Sequence, residues 1–299
     1  MTLWNRAIAA TLPFVPRSIV HRVAQTYIAG ETADDAIAVA ARLNAAGFRA
    51  TMDILGEDIH TLAQAREAGA GYINLLDRIH RDRIDSNVSI KLTQLGLKID
   101  KRACLELATS VVAHAKELGN FVRIDMENSS CTSDTLEIHR ALRLNHTNVG
   151  VVIQAYLRRS YDDITSMTDL RPNLRLCKGV YVEKREIAYP DMDVINRNYV
   201  HLLETLLRRG SYVGIATHDE RMVWEAMRLI RELQLDRGAY EFQMLLGVDE
   251  ELRNLIQAAG HPLRVYIPFG KDWYAYSVRR LRENPRLAGY VLEAALRRV

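Results

Sequence analysis

Short apolar stretches recur along the chain at 49–55, 88–92, 121–126, 149–155, 174–180, 213–218, 241–245 and 263–269, and their length predicts strands. Between them the apolar positions fall at helical spacing, as in 102–118, 133–143, 194–208, 220–233 and 250–259, and a further helix over 31–46 stops at Gly47. Eight strands, each followed by helix and without long hairpins, predict an α/β protein built as a closed parallel (βα)8 TIM-like barrel. An open doubly wound sheet would want a Gly-x-Gly-x-x-Gly turn after the first strand, and none is there. Residues 1–46 read as an N-terminal helical arm, 47–284 as the catalytic barrel and 285–299 as a C-terminal helix.

A barrel of this kind places its active site at the C-terminal ends of the strands, which gathers scattered polar residues into one constellation. Lys91 lies between Ile90 and Leu92, where a cation is costly unless it is paired or lines a polar cavity. Asp125 is expected to pair with it, each offsetting the other's desolvation. Arg175 needs an anionic or electron-rich partner, and Gly179 admits close backbone approach to a ligand such as a phosphate, with the Lys178 charge beside it. Internal ion pairs alone would account for the same residues. Thr217 and His218 suit a cofactor, a hydrogen-bonded strand end, or a metal with Asp53, Asp125 and Glu127 as further ligands. Gln154 is a polar strand end, while Tyr181, Tyr266 and Tyr276, with Leu245, are able to wall a small apolar ring.

The stretch 265–283, VYIPFGKDWYAYSVRRLRE, reads as a strand, a Gly-containing turn and a helix opening near Asp272. Tyr276, Arg279, Arg280 and Glu283 share one helical face, opposite Tyr274, Val278 and Leu281. Two guanidinium forks beside a phenol match a small carboxylate or phosphate, although a solvated face with routine Arg–Glu pairs has the same pattern.

Composition narrows the partners. The 299 residues, 48% hydrophobic and 26% charged, suffice for one large soluble core. A net charge of +3, with no basic run interleaved with aromatics, leaves no expectation of nucleic acid. Cys104, Cys131 and Cys177 lack the paired spacing of a disulfide framework or zinc site and suit a reducing compartment. No uninterrupted apolar run reaches the roughly 18 residues of a membrane-spanning helix. Residues 1–30 hold Arg6, Arg17 and Arg22 but no acid, which suits a structural arm, a membrane-facing segment or a removable presequence.

Six motifs, SIKLTQLG, VRIDMENS, LRLCKGVY, IATHDE, YEFQMLLG and VYIPFGKDWYAYSVRRLRE, occur in an order and spacing that resemble the proline dehydrogenase family, most closely its short bacterial single-function members. The resemblance spans about 31–283. It implies FAD at the strand ends and a last barrel helix lying over the mouth, which would turn Arg279 and Arg280 inward. By the same resemblance these arginines and Lys91 would bind the proline carboxylate, with Glu283 bracing them. Asp125 matches the family's active-site aspartate, and Arg175 the arginine beside flavin N5. Met126, Gln154, Lys178, Gly179, Val180, Thr217 and His218 match FAD contacts, and Tyr181, Leu245, Tyr266 and Tyr276 match the substrate cage. Cys177 and Val180 depart from the usual Val and Ala, and Val180 narrows the expected pocket.

The resemblance thus implies oxidation of L-proline to Δ1-pyrroline-5-carboxylate by hydride transfer to FAD, with a membrane quinone as electron acceptor and no metal. It implies a cytoplasmic enzyme with weak peripheral contact at the inner face of the cytoplasmic membrane, through the basic arm or the amphipathic tail 285–299. Competing readings are a hydroxyproline dehydrogenase, a metal-dependent barrel hydrolase or aldolase using Asp125, Glu127 and His218, and a non-catalytic amino-acid-binding barrel. No oligomeric state is specified.

Overall fold

A computed structural model describes residues 24–56, 59–167, 171–274, 276 and 277. Arg279, Arg280 and Glu283, the arm expected before residue 24 and the helix expected over 285–299 lie outside the described residues. The strands are β1 (Arg49–Ile54), β2 (Ser86–Ile90), β3 (Val122–Ile124), β4 (Val149–Gln154), β5 (Asn173–Cys177), β6 (Tyr212–Ala216), β7 (Tyr240–Leu245) and β8 (Leu263–Phe269). Each pairs in parallel with the next, and β8 returns to β1, closing the expected barrel. The helices are α1 (Ala33–Ala45), α2 (Leu62–Arg81), α3 (Lys101–Glu117), α4 (Ser129–Arg143), α5 (Ser160–Ser166), α6 (Met192–Arg208), α7 (Glu220–Glu232) and α8 (Glu250–Ala258). None of the described helices is long and apolar enough to cross a membrane.

Helix starts are written into the loops. Thr32 and Asp35 form a capping box before α1, and Thr61 and Gln64 another before α2. Asp100, Asp191, Asp219 and Asp249 accept from the first backbone N–H groups of α3, α6, α7 and α8. Gly69 and Gly71 weaken the periodic signal of α2, yet its tertiary contacts hold it helical through the buried Tyr72, Leu75, Leu76 and Ile79.

Strand alternation separates two interiors. Outward positions such as Met52, Ile90, Ile124, Val151, Leu176, Ile215, Phe242 and Val265 join helix residues in one buried apolar shell. Inward positions are strongly polar: Arg123, Arg175, Arg264 and Lys91 share the barrel axis with Asp53, Asp125 and Glu241, all buried. Many barrels fill this space with layers of Val, Ile and Leu. Here ion pairs and hydrogen bonds to buried cations replace them. Arg123 is fully enclosed and donates through Nη1 to the Asn173 carbonyl at 2.7 Å and the Val151 carbonyl at 3.2 Å. Burial, reinforced by Arg175, pushes its pKa down to about 9.

His139 on α4 is buried, and neither ring nitrogen finds a hydrogen-bond partner. Burial first, then Arg143, Arg123 and Arg140, lowers its pKa from 6.5 to about 3. The unfolded chain therefore binds a proton that the folded chain refuses, and stability falls as pH drops from 6.5 toward 3. The loss is about 1.4 kcal/mol per pH unit. His139→Leu is expected to flatten that slope between pH 6.5 and 5, read from urea unfolding curves at both values.

Candidate active site

The barrel opens at its C-terminal end into a cavity of about 480 Å³. Its floor is lined by Lys91 and Asp125, just past the ends of β2 and β3, by Val152 and Gln154 of β4, Arg175 of β5, Gln243 of β7 and Tyr266 of β8. Asp125 is the hub: it accepts from Arg175 Nη1 at 2.6 Å, from the Tyr266 hydroxyl at 2.8 Å and from Ser89 Oγ at 3.1 Å. Arg175 also donates through Nη2 to Ser89 Oγ at 3.1 Å and through Nε to Gln243 Oε1, and its guanidinium carbon lies 5.3 Å from the Tyr266 ring centre. Burial, with Asp125 and Asp53 adding to it, raises the Tyr266 phenol well above its ordinary value, so it stays a donor.

Lys91 makes the expected ion pair with Asp125 but has a closer partner. Its Nζ sits 2.7 Å from Asp53 Oδ2 and 3.7 Å from Asp125 Oδ2, so Asp53 is the closer partner. Asp125 stands level with Lys91 across β2–β3 but is already occupied by Arg175 and Tyr266. Asp53 pairs in register with Ser89, two residues before Lys91, and the long lysine stem bends back to it. Tyr72 of α2 donates to the other Asp53 oxygen at 3.3 Å.

β5 ends at Cys177, so Lys178, Gly179, Val180 and Tyr181 lie in the loop above the floor. Gly179 turns the chain at φ +104°, and a Cβ there would come 2.1 Å from the Tyr156 ring. Gly179→Ala is expected to destabilise the fold by roughly 1–3 kcal/mol, measurable as a lower denaturation midpoint. Lys178 Nζ is 2.5 Å from Asp219 Oδ2. Burial tends to raise the Asp219 carboxyl, but the Lys178 ammonium and two backbone N–H donors at the start of α7 bring it below its ordinary value.

Met126, Gln154, Thr217 and His218 line the remaining upper wall, and Tyr181, Leu245, Tyr266 and Tyr276 all border the cavity. Gln154 Oε1 is buried there without a hydrogen-bond partner. The Leu245 N–H donates to His218 Nε2 at 2.8 Å, so that nitrogen is an acceptor and Nδ1 carries the ring proton. Glu127 turns away to clamp the Thr93 backbone N–H at 3.1 Å and the Thr93 hydroxyl. Among the described residues no group of three or more His, Cys, Asp or Glu is arranged to hold a metal ion.

The sequence profile of the proline dehydrogenase family matches residues 36–291. The chain belongs to this family. It is an oxidoreductase acting on proline. Proline dehydrogenase of Deinococcus radiodurans is 38% identical over 286 residues, covering 94% of this chain and 92% of that one. Proline dehydrogenase 1 of Bacillus subtilis is 35% identical over 275 residues, covering 92% and 91%. Among solved structures, proline utilization A (PutA) from Bdellovibrio bacteriovorus, inactivated by N-propargylglycine, matches with a TM-score of 0.82 at 28% identity, covering 88% of this chain and 33% of that longer one.

For a proline dehydrogenase, the site holds more polar partners for its cations than the charged motif residues suggest. Asp53 as a lysine partner, Ser89 and Gln243 emerge only in three dimensions, yet all are buried polar residues at inward positions of otherwise apolar strands. That alternation is the signal that marks them.

Proposed function

We propose that the protein oxidises L-proline to Δ1-pyrroline-5-carboxylate with FAD as its cofactor and hands the electrons to a membrane quinone. The observation that carries this reading is the buried cluster of Arg175, Asp125, Tyr266, Lys91 and Asp53 beneath a cavity with a bare-backbone wall. The residues present fit FAD in two respects. The unpartnered Gln154 Oε1 asks for a donor such as a flavin N–H, and Gly179, seated against the Tyr156 ring, brings its backbone to the cavity wall. Lys178 and Thr217 would hold the cofactor with them, and Met126, Val180 and His218 would complete its walls.

FAD, when bound, supplies the acceptor for the hydride leaving the proline carbon next to nitrogen. The chain's own part is positioning and charge. Arg175 presents fixed donors and positive charge at the cavity floor, where electron density builds up during transfer. Lys91 offers its ammonium to the substrate carboxylate, and Arg279 and Arg280, braced by Glu283, would complete the clamp. Asp125 accepts from the substrate N–H, and Tyr181, Leu245, Tyr266 and Tyr276 enclose the ring and exclude water. A basic 1–30 segment or amphipathic 285–299 tail at a membrane surface would bring the quinone within reach.

The test is a visible spectrum of the purified protein before and after anaerobic L-proline. Flavin bands that bleach, with Δ1-pyrroline-5-carboxylate formed and colour restored by a quinone analogue, are the expected result. A folded protein that takes up no FAD when supplied with it would overturn the reading.

A further inference from the structure

β7 contributes two inward residues, Gln243 at the cavity floor and Glu241 one layer below it. Gln243 Oε1 accepts from Arg175 Nε, and Gln243 Nε2 donates to Glu241 Oε1 at 2.7 Å. Glu241 also accepts from Arg264 Nε at 2.7 Å, and its second oxygen lies 3.5 Å from Arg49 Nη1. Arg264 is anchored in turn, donating to the Ala50 carbonyl at 2.5 Å. Both Gln243 and Glu241 are buried. Space for the Gln243 amide comes from Gly214 on β6, where a Cβ would stand 2.6 Å from Nε2.

This chain has a direction. An amide side chain can be turned end for end with little change of shape, and only its neighbours decide which end faces which. Glu241 as a carboxylate accepts and never donates, so it takes the amide N–H2 and leaves the amide oxygen for the Arg175 guanidinium. Burial opposes the charge on Glu241, but Arg264 outweighs it and keeps the carboxyl below its ordinary value. With Asp125 and Ser89 holding the other two nitrogens, the guanidinium plane is fixed on three sides.

We propose that Gln243 and Glu241 are positioning residues for Arg175, setting its orientation and tempering its positive charge from the floor of the barrel. The proposal rests on the reading that Arg175 faces the flavin. Its ordinary structural alternative is a buried polar network that stabilises the barrel and leaves the chemistry alone.

A double-mutant cycle in the flavin-loaded full chain separates them, using Gln243→Met, Arg175→Met and the double variant. Anaerobic flavin reduction by proline, flavin midpoint potential and melting temperature are recorded for each. In Gln243→Met we expect reduction to slow by about 10- to 100-fold. The potential is expected to shift, with proline KM held within roughly threefold. The double variant is expected to be no slower than Arg175→Met alone. Parental rate and potential in Gln243→Met, beside altered values in Arg175→Met, would overturn the proposal and spare the reading. So would losses that multiply in the double variant. If Arg175→Met itself leaves both quantities unchanged, the reading of Arg175 falls and the proposal falls with it. Should Gln243→Met not fold, Gln243→Asn, too short to span both partners, is judged by the same criteria.

Discussion

Arg175→Met is expected to slow proline oxidation by about 10²- to 10³-fold, the scale found when one preorganised charge-stabilising donor is removed. The side chain is close in length, so the loss isolates the guanidinium. Three acceptors lose their donor at once: Asp125, Ser89 and Gln243. Breaking a buried ion pair from one side costs about 3–5 kcal/mol, because the remaining charge stays desolvated. The variant should therefore melt earlier as well as turn over slowly. Stopped-flow flavin reduction and a denaturation curve measure the two effects separately, and a folded variant within tenfold of the parental rate would remove Arg175 from the chemistry.

Lys91→Met is expected to have the next largest effect, and its signature differs. Loss of one charge-assisted contact to the substrate carboxylate is worth about 1.5–3 kcal/mol, which appears as a raised proline KM. Asp53, fully buried, would keep the Tyr72 hydroxyl but lose the ammonium 2.7 Å away. A further 3–5 kcal/mol of stability should go with it, on the same one-sided-pair argument. Lys91→Arg should recover part of the stability while placing its fork differently, so KM and melting temperature are expected to separate in that variant. Unchanged KM in a folded Lys91→Met protein would exclude Lys91 from carboxylate binding.

All eight strands can be read from the chain because their outward residues are continuously apolar, as in Val149, Val151 and Ile153 of β4. Their ends are harder to read. β3 covers only Val122–Ile124, and β5 stops at Cys177, because past these points the backbone leaves ladder geometry for the loops that build the site. The charged lining of the cavity is also visible early, since Lys91, Asp125 and Arg175 are charges in apolar strands. Which partner lies closest is not visible. Lys91 reaches Asp53 over a level neighbour because Arg175 and Tyr266 already occupy Asp125, and that competition depends on all the surrounding strands at once. Glu127 shows the same limit: a plausible ligand by position, it is tied to Thr93 of the preceding loop.

The separation of an apolar shell from a charged axis has a consequence for how such an enzyme diversifies. Fold stability is vested mainly in residues that never see substrate, so heritable variation at the rim can reshape preference without loosening the scaffold. Cys177 and Val180 border the cavity and are the natural sites for adaptation to a bulkier cyclic amine. The axis is the opposite case, since most charges there answer another and a lone change is penalised until its partner changes too. Lineages should therefore drift freely at the brim and move in concerted steps at the base.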